Sequence, residues 1–192
     1  MNTKPTVLVT RKLPNAVETR LERDYDARLN PDDRLYSRDE LIESARGAQA
    51  ILPCHTEHFT ADVVQRLPAE VRIIANFSVG YDHVDLEAAR TRGIVVTNTP
   101  DVLSDATAEL TLMLMIGAAR RASEGEKLVR ERKWKDWSPA FMVGTQVTGK
   151  RLGILGMGRV GRVVARRARG FDMRIHYHDI RPIEGLNEGV YH

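Results

Sequence analysis

Lys150–Gly161 reads KRLGILGMGRVG, and no other stretch narrows the possible folds of this chain as far. A short apolar run (Leu152, Ile154, Leu155) enters Gly156-x-Gly158-x-x-Gly161, and the apolar-basic pattern VGRVVARRARG follows. A buried strand, a tight glycine turn and a helix, in that order, make the entrance to a dinucleotide site. Gly156 permits the turn, Gly158 admits a pyrophosphate close to the backbone, and Gly161 lets helix pack on strand. The free N–H groups near Arg159 and Val160 are then expected to face the phosphates, aided by the helix dipole. The next strand ends in HYHD, placing Asp179 18 residues beyond Gly161, where a carboxylate can bind the adenosine ribose hydroxyls. The competing reading is a strand–turn–helix whose glycines serve packing alone.

Composition bounds the rest. The 192 residues, 42% hydrophobic, suffice for one or two cored domains. The single cysteine, Cys54, excludes a disulfide framework and fits a reducing compartment, so a cytoplasmic location is expected. MNTKPTVLVT lacks a signal-type apolar core, and Arg120 and Arg121 close the longest apolar run, so no membrane span is expected. With 29 Lys+Arg against 26 Asp+Glu the chain is only mildly basic. The Arg162–Arg169 cluster reads as the solvated face of a helix, and no nucleic-acid partner is expected.

Before the glycine turn, strand and helix alternate. Thr6–Thr10 is a buried strand; Pro14 opens a helix with Val17 and Leu21 on one face. Ala27–Leu29 is a weak strand, and Ser37 begins SRDE, a capping-box pattern. Strands follow at Ala48–Leu52, Val71–Ala75 and Ile94–Thr97, with helices capped at Thr60 and spanning Asp85–Arg92. Repeated βα units of this spacing predict an α/β fold. They give a flavodoxin-like, doubly wound parallel sheet over residues 1–98. Residues 99–192 are expected to form the first part of a Rossmann dinucleotide-binding domain. They open with a helix over Val102–Ile116 whose apolar residues are too continuous for a surface helix. Core packing is the expected role of the Met113/Met115 pair.

Three stretches in order, ANFSVGYDHVD (Ala75–Asp85), GIVVTNTPDVLSDATAELTLMLMI (Gly93–Ile116) and GKRLGILGMGRVG (Gly149–Gly161), carry a resemblance. The chain resembles the D-isomer-specific 2-hydroxyacid dehydrogenases, in particular their glyoxylate/hydroxypyruvate reductase branch. The resemblance implies NAD(P)H-dependent reduction of a small 2-oxo acid to the D-2-hydroxy acid. It implies a substrate-carboxylate site on main-chain N–H groups of Ser78, Val79 and Gly80, which suits a turn acting as a nest of donors. Pro53-Cys54 matches a position lining the substrate pocket and departs from the commoner Leu-Ser type pairing. Thr107 matches a position contacting the cofactor. Asp179 leads to an expectation of NAD, with NADP possible through Arg181. The family's catalytic arginine, carboxylate and histidine lie beyond the second Rossmann strand, so none is assigned within the chain, and His192 is not that histidine. The expectation is an N-terminal portion of a dehydrogenase, inactive by itself. The alternative is a catalytically inactive nucleotide-binding or interaction protein of the same fold. The resemblance also implies a homodimer through Val102–Ile116 and Trp134–Met142, with Trp137, or else Trp134, approaching the partner's cleft.

Elsewhere the sequence offers little chemistry. His55-x-x-His58 has only the adjoining Cys54 as a further ligand type, and no metal site is expected. His176 and His178 are expected to pack or to flank the adenosine pocket, and no hydrolase motif is present.

Overall fold

The computed structural model describes residues 4–181, 183 and 190–191. They fall into two compact units, Met1–Pro100 and Asp101–His192.

In the first unit β1 (Thr6–Val9), α1 (Asn15–Asp24), β2 (Asp26–Arg28), α2 (Arg38–Ser44) and β3 (Ala50–Leu52) are followed by α3 (Ala61–Arg66), β4 (Ile73–Ala75), α4 (Leu86–Thr91) and β5 (Val95–Thr97). All strand pairings are parallel, in the order β2-β1-β3-β4-β5. This is the flavodoxin-like winding, with crossover helices covering both faces. The period-2 alternation of β1 explains how: Leu8 enters one core with Ile51, Phe59 and Ile74, while Val7 and Val9 enter another with Leu13 and Leu21. Helix starts are fixed by side chains. Ser37 Oγ accepts from Glu40 N (3.3 Å) while Glu40 Oε2 accepts from Ser37 N (2.8 Å), the reciprocal pair that SRDE predicts. Thr60 caps α3, and Asp85 Oδ1 accepts from Ala88 N at 2.9 Å to cap α4.

The second unit holds α5 (Ser104–Ala119), α6 (Ala122–Arg130), β6 (Arg151–Leu155), α7 (Arg159–Ala168), β7 (Arg174–His178) and β8 (Val190–Tyr191). Its three strands are parallel in the order β6-β7-β8. Ile175 and Tyr177 of β7, Met157 after β6, and Ala165 and Ala168 of α7 form its core. Helix α5 packs on α7, with Arg167 reaching Asp105 Oδ1 at 2.8 Å and its carbonyl at 2.7 Å.

Two expectations about α5 need correction. The helix begins at Ser104, leaving Val102 and Leu103 in the preceding turn. Nor is Met113 a core residue: it is exposed, as are Leu110 and Leu114, whereas Met115 packs on the core. Apolar residues run round the whole circumference of α5, which packs on α7 and, less extensively, on α6, with Leu112 and Met115 turned to the core. Among the described residues, no helix is long and apolar enough to cross a membrane.

Candidate functional site

Parallel strands deliver their following loops to one edge of the sheet, where α/β folds bind ligands. In the first unit Phe77 N donates to Pro53 O at 2.8 Å, which ties the loop after β4 to the loop after β3. Asn76, buried at the end of β4, donates from Nδ2 to Thr97 O at 2.9 Å, so its Oδ1 is the acceptor facing His83 Nε2 at 2.9 Å. His83 is therefore the donor in this pair. Its burial pushes the imidazole below its usual range, which favours the neutral ring.

This bond closes the base of a loop in which three successive carbonyls are taken. Ser78 O accepts from Thr99 N (2.9 Å), Val79 O from Asn98 Nδ2 (2.8 Å) and Gly80 O from Ser78 Oγ (2.6 Å). No acceptor among the described residues meets the N–H of Ser78, Val79 or Gly80. Three successive amides with engaged oxygens and open N–H groups can receive an anion without any cationic side chain. Sequence reading singled out the turn but missed Asn76, His83, Asn98 and Thr99, which set its peptide planes.

Cys54 is half-buried beside this edge. Burial, and then the charge of Glu57, push its thiol above the ordinary range, which favours the neutral thiol. His55 and His58 join no metal-binding group of three or more His, Cys, Asp or Glu among the described residues.

In the second unit β6 is followed by Gly156, whose φ of +91° suits glycine, and Gly156 N donates to His178 O at 2.8 Å. Gly158 is the N-cap of α7, and a Cβ built there meets nothing within 4 Å. At Gly161 a Cβ would lie 2.2 Å from Gly156 O and 3.3 Å from Ile154 Cγ2, so helix and turn touch through the missing side chain. No side chain caps α7, and no acidic residue lies in its first turn. Its first N–H groups, at Arg159, Val160 and Gly161, are the orphan donors of a helix start. Arg159 pairs with Asp101 at 2.6 Å, both exposed. Asp179 Oδ2 accepts from Met157 N at 2.7 Å. That bond, with the N–H groups of Arg181 and Ile180, holds the carboxyl below its usual range. Three donors leave room among the roughly four acceptor positions of a carboxylate for a further hydroxyl. An open face at Gly158, an uncapped helix start and an ionised Asp179 thus fit the phosphates and ribose of a dinucleotide.

Thr111, Met115, Gly156, Val160, Gly161 and Val164 border the groove beside this turn. Thr107 does not line that groove. It is exposed one turn earlier on α5, and its carbonyl accepts from Thr111 Oγ1 at 2.8 Å. The Arg181 side chain is exposed. After α6, Trp134, Trp137, Phe141 and Met142 border an apolar groove with Leu128 and Val129. Trp137 is 75% exposed. His192 lies outside the described residues.

Residues 7–169 match the family model of the D-isomer specific 2-hydroxyacid dehydrogenase, catalytic domain. The chain is 40% identical over 188 residues to a glycerate dehydrogenase of Hyphomicrobium methylovorum, covering 98% of this chain and 58% of that protein. It is 44% identical over 177 residues to a glyoxylate reductase of Korarchaeum cryptofilum, covering 92% and 53%. It superposes on the crystal structure of a D-isomer specific 2-hydroxyacid dehydrogenase, NAD-binding, from Polaromonas with a TM-score of 0.90 and 42% identity, covering 99% and 60%. The chain thus spans about half the length of the curated relatives it matches. The glycine turn, the Ser78–Gly80 turn and both parallel sheets occur in one chain with these likenesses, and the chain belongs to the D-isomer specific 2-hydroxyacid dehydrogenase family.

Proposed function

We propose that this chain contributes the substrate-anion turn and the first half of the dinucleotide site of an NAD(P)H-dependent reductase. Its substrate is a small 2-oxo acid of the glyoxylate or hydroxypyruvate type, reduced to the D-2-hydroxy acid. Residues 1–98 are the substrate domain in this reading and residues 99–192 the beginning of the cofactor domain. The observation that carries it is the set of three open N–H groups at Ser78, Val79 and Gly80 with their carbonyls tied down. A bound nicotinamide supplies the hydride. The chain's own residues bind and orient: the three amides take the oxo acid's carboxylate, and Cys54 borders its substituent. The start of α7 at Gly158–Gly161 takes the pyrophosphate, and Asp179 accepts the ribose hydroxyls. Asp179 favours NAD because a carboxylate repels a 2′-phosphate, whereas Arg181 is the residue through which NADP would be accepted.

The test is titration of the 15N-labelled chain with glyoxylate or oxamate. Shifts at the Ser78, Val79 and Gly80 amides are expected, and Val79→Pro, which removes one donor, should weaken them. Shifts confined to other residues would sink the reading. NADH binding, followed by quenching of Trp134 and Trp137, should outcompete NADPH, and Asp179→Ala should narrow that preference.

The exposed Leu110, Met113 and Leu114, with Trp137, support a homodimer through Val102–Ile116 and Trp134–Met142. Light scattering should report a dimer that Leu114→Glu dissociates; a monomeric wild type at micromolar concentration would end this part of the proposal. The lone cysteine supports a cytoplasmic location.

A further inference from the structure

We propose that Arg11 is a positioning residue of the 2-oxo acid site, holding the Cys54–Glu57 loop in place by bridging Asp33 to Thr56. The inference rests on the function proposed above and adds a residue remote from the anion turn in sequence.

Arg11 follows the interior strand β1 at its C-terminal end, between the loops that follow β2 and β3. Asp33 lies in the first of these loops and Thr56 in the second. The guanidinium meets Asp33 as a fork, Nε to Oδ1 at 2.7 Å and Nη2 to Oδ2 at 2.9 Å, while Lys12 N donates to the same Oδ1 at 2.9 Å. A planar fork held at two points leaves its third corner little freedom. That corner, Nη1, donates to Thr56 Oγ1 at 2.9 Å. The Thr56 hydroxyl donates onward to Glu57 Oε2 at 3.2 Å, and the same oxygen accepts from Cys54 N at 3.1 Å. A single relay therefore runs from Asp33 to the backbone of Cys54.

Two features show that the relay is built at a cost. Asp33 sits at φ +51°, in the left-handed region that non-glycine residues seldom occupy. Glu57 is only 4% exposed, and its Oε1 has no partner among the described residues. A buried carboxyl oxygen without a partner is uncommon, and here the other oxygen, Oε2, accepts two bonds. What Oε2 holds is the loop bordering the pocket, and Pro53 O, accepting from Phe77 N, passes that position to the edge of the anion turn. Lysine at position 11 would supply charge without the fork.

The experiment uses the gene product carrying this chain at its natural length, with glyoxylate and NADH as substrates. Thr56→Val keeps shape and removes the hydroxyl; Thr56→Ser keeps the hydroxyl. Thr56→Val and Arg11→Ala should each raise KM for glyoxylate about tenfold, with kcat and KM for NADH changed less than about twofold. Thr56→Ser should restore the wild-type KM, and the double variant should be no worse than either single one. The KM shift in Thr56→Val should persist at an unchanged Tm, which a merely structural role does not produce. An unchanged KM in Thr56→Val, or a fall in kcat and NADH affinity in step with Tm, overturns the inference. Absence of turnover of any 2-oxo acid by the wild type instead overturns the proposed function, and this inference with it.

Discussion

Strands β1 and β6 start from the same instructions and end in different circumstances. Each is a short apolar run that opens a βα unit. In the structure β1 is paired on both sides, by β2 and β3, and Val9 is fully buried. Among the described residues β6 is paired only by β7, and Leu155 at its end is 88% exposed. An apolar strand pattern declares that cover is required and leaves open where the cover comes from. Helix starts repeat the lesson. Ser37, Thr60 and Asp85 close α2, α3 and α4 with their own side chains, whereas α7 begins at Gly158 with none. Three helix starts of the first unit are sealed by the chain's own side chains, and the start that fits a dinucleotide is left open, as are those of α1, α5 and α6.

The largest effect should come from closing that open end wrongly. Gly161→Ala drives a methyl group to within 2.2 Å of the Gly156 carbonyl oxygen. It should cost the second unit about 3 kcal/mol and abolish NADH binding. Both tryptophans, Trp134 and Trp137, lie in the second unit, so fluorescence should lose its folded signal at lower urea while the first unit's circular dichroism transition stays put. If the two transitions move together, the units do not fold separately.

Next comes the pair of strands themselves. Val9→Ala should cost about 2 kcal/mol, because the side chain is wholly buried. Leu155→Ala should stay within about 0.5 kcal/mol in this chain. Equal losses would mean that β6 is covered, and self-association across its free edge would be the first thing to measure.

These contrasts also mark what the sequence could announce. The caps at Ser37 and Thr60 and the glycine turn were legible because their partners lie within a few residues. The hydrogen bonds of Asn98 to Val79 and of Arg11 to Asp33 and Thr56 were not. They join loops 19, 22 and 45 residues apart, which meet only once the strands have taken their order. Periodicity failed at Met113 for a related reason. It reports that a helix is apolar all round, while exposure depends on what stands opposite each side.

Smaller still is the contrast between a cap and an opening. Ser37→Ala should destabilise the first unit by about 1 kcal/mol. Gly158→Ala, with free space around the added methyl, should change stability by less than that and weaken NADH binding at least about tenfold. A titration showing unchanged NADH affinity for Gly158→Ala would remove the pyrophosphate from this helix start.

The least effect is expected from acid. The Arg11 fork holds the Asp33 carboxyl at about 2, against an ordinary 3.8. The Ser37 backbone and hydroxyl, with Arg34, hold Glu40 at about 2 against 4.5. Both values are depressed on folding, so the stabilisation is complete above the ordinary carboxyl values and drains away as pH falls from 4.5 toward 2. Thermal scans of the first unit should be flat down to about pH 5 and decline below it. Asp33→Asn, which tolerates the left-handed backbone, and Glu40→Gln should flatten that decline. A first unit as steep in acid with both substitutions as without would move the acid-sensitive groups elsewhere.

The turn at Ser78–Gly80 has one more consequence. Its donors are amides, which carry no proton that leaves between acid and alkali, so the proposed hold on a carboxylate would have no titration curve of its own. Any pH profile of oxo-acid binding must be written by other groups. The donors also belong to the main chain, so the identity of the residue at position 79 is nearly free to drift while recognition persists. An alanine scan would pass over Val79 in silence, and replacement of its amide by an ester would not.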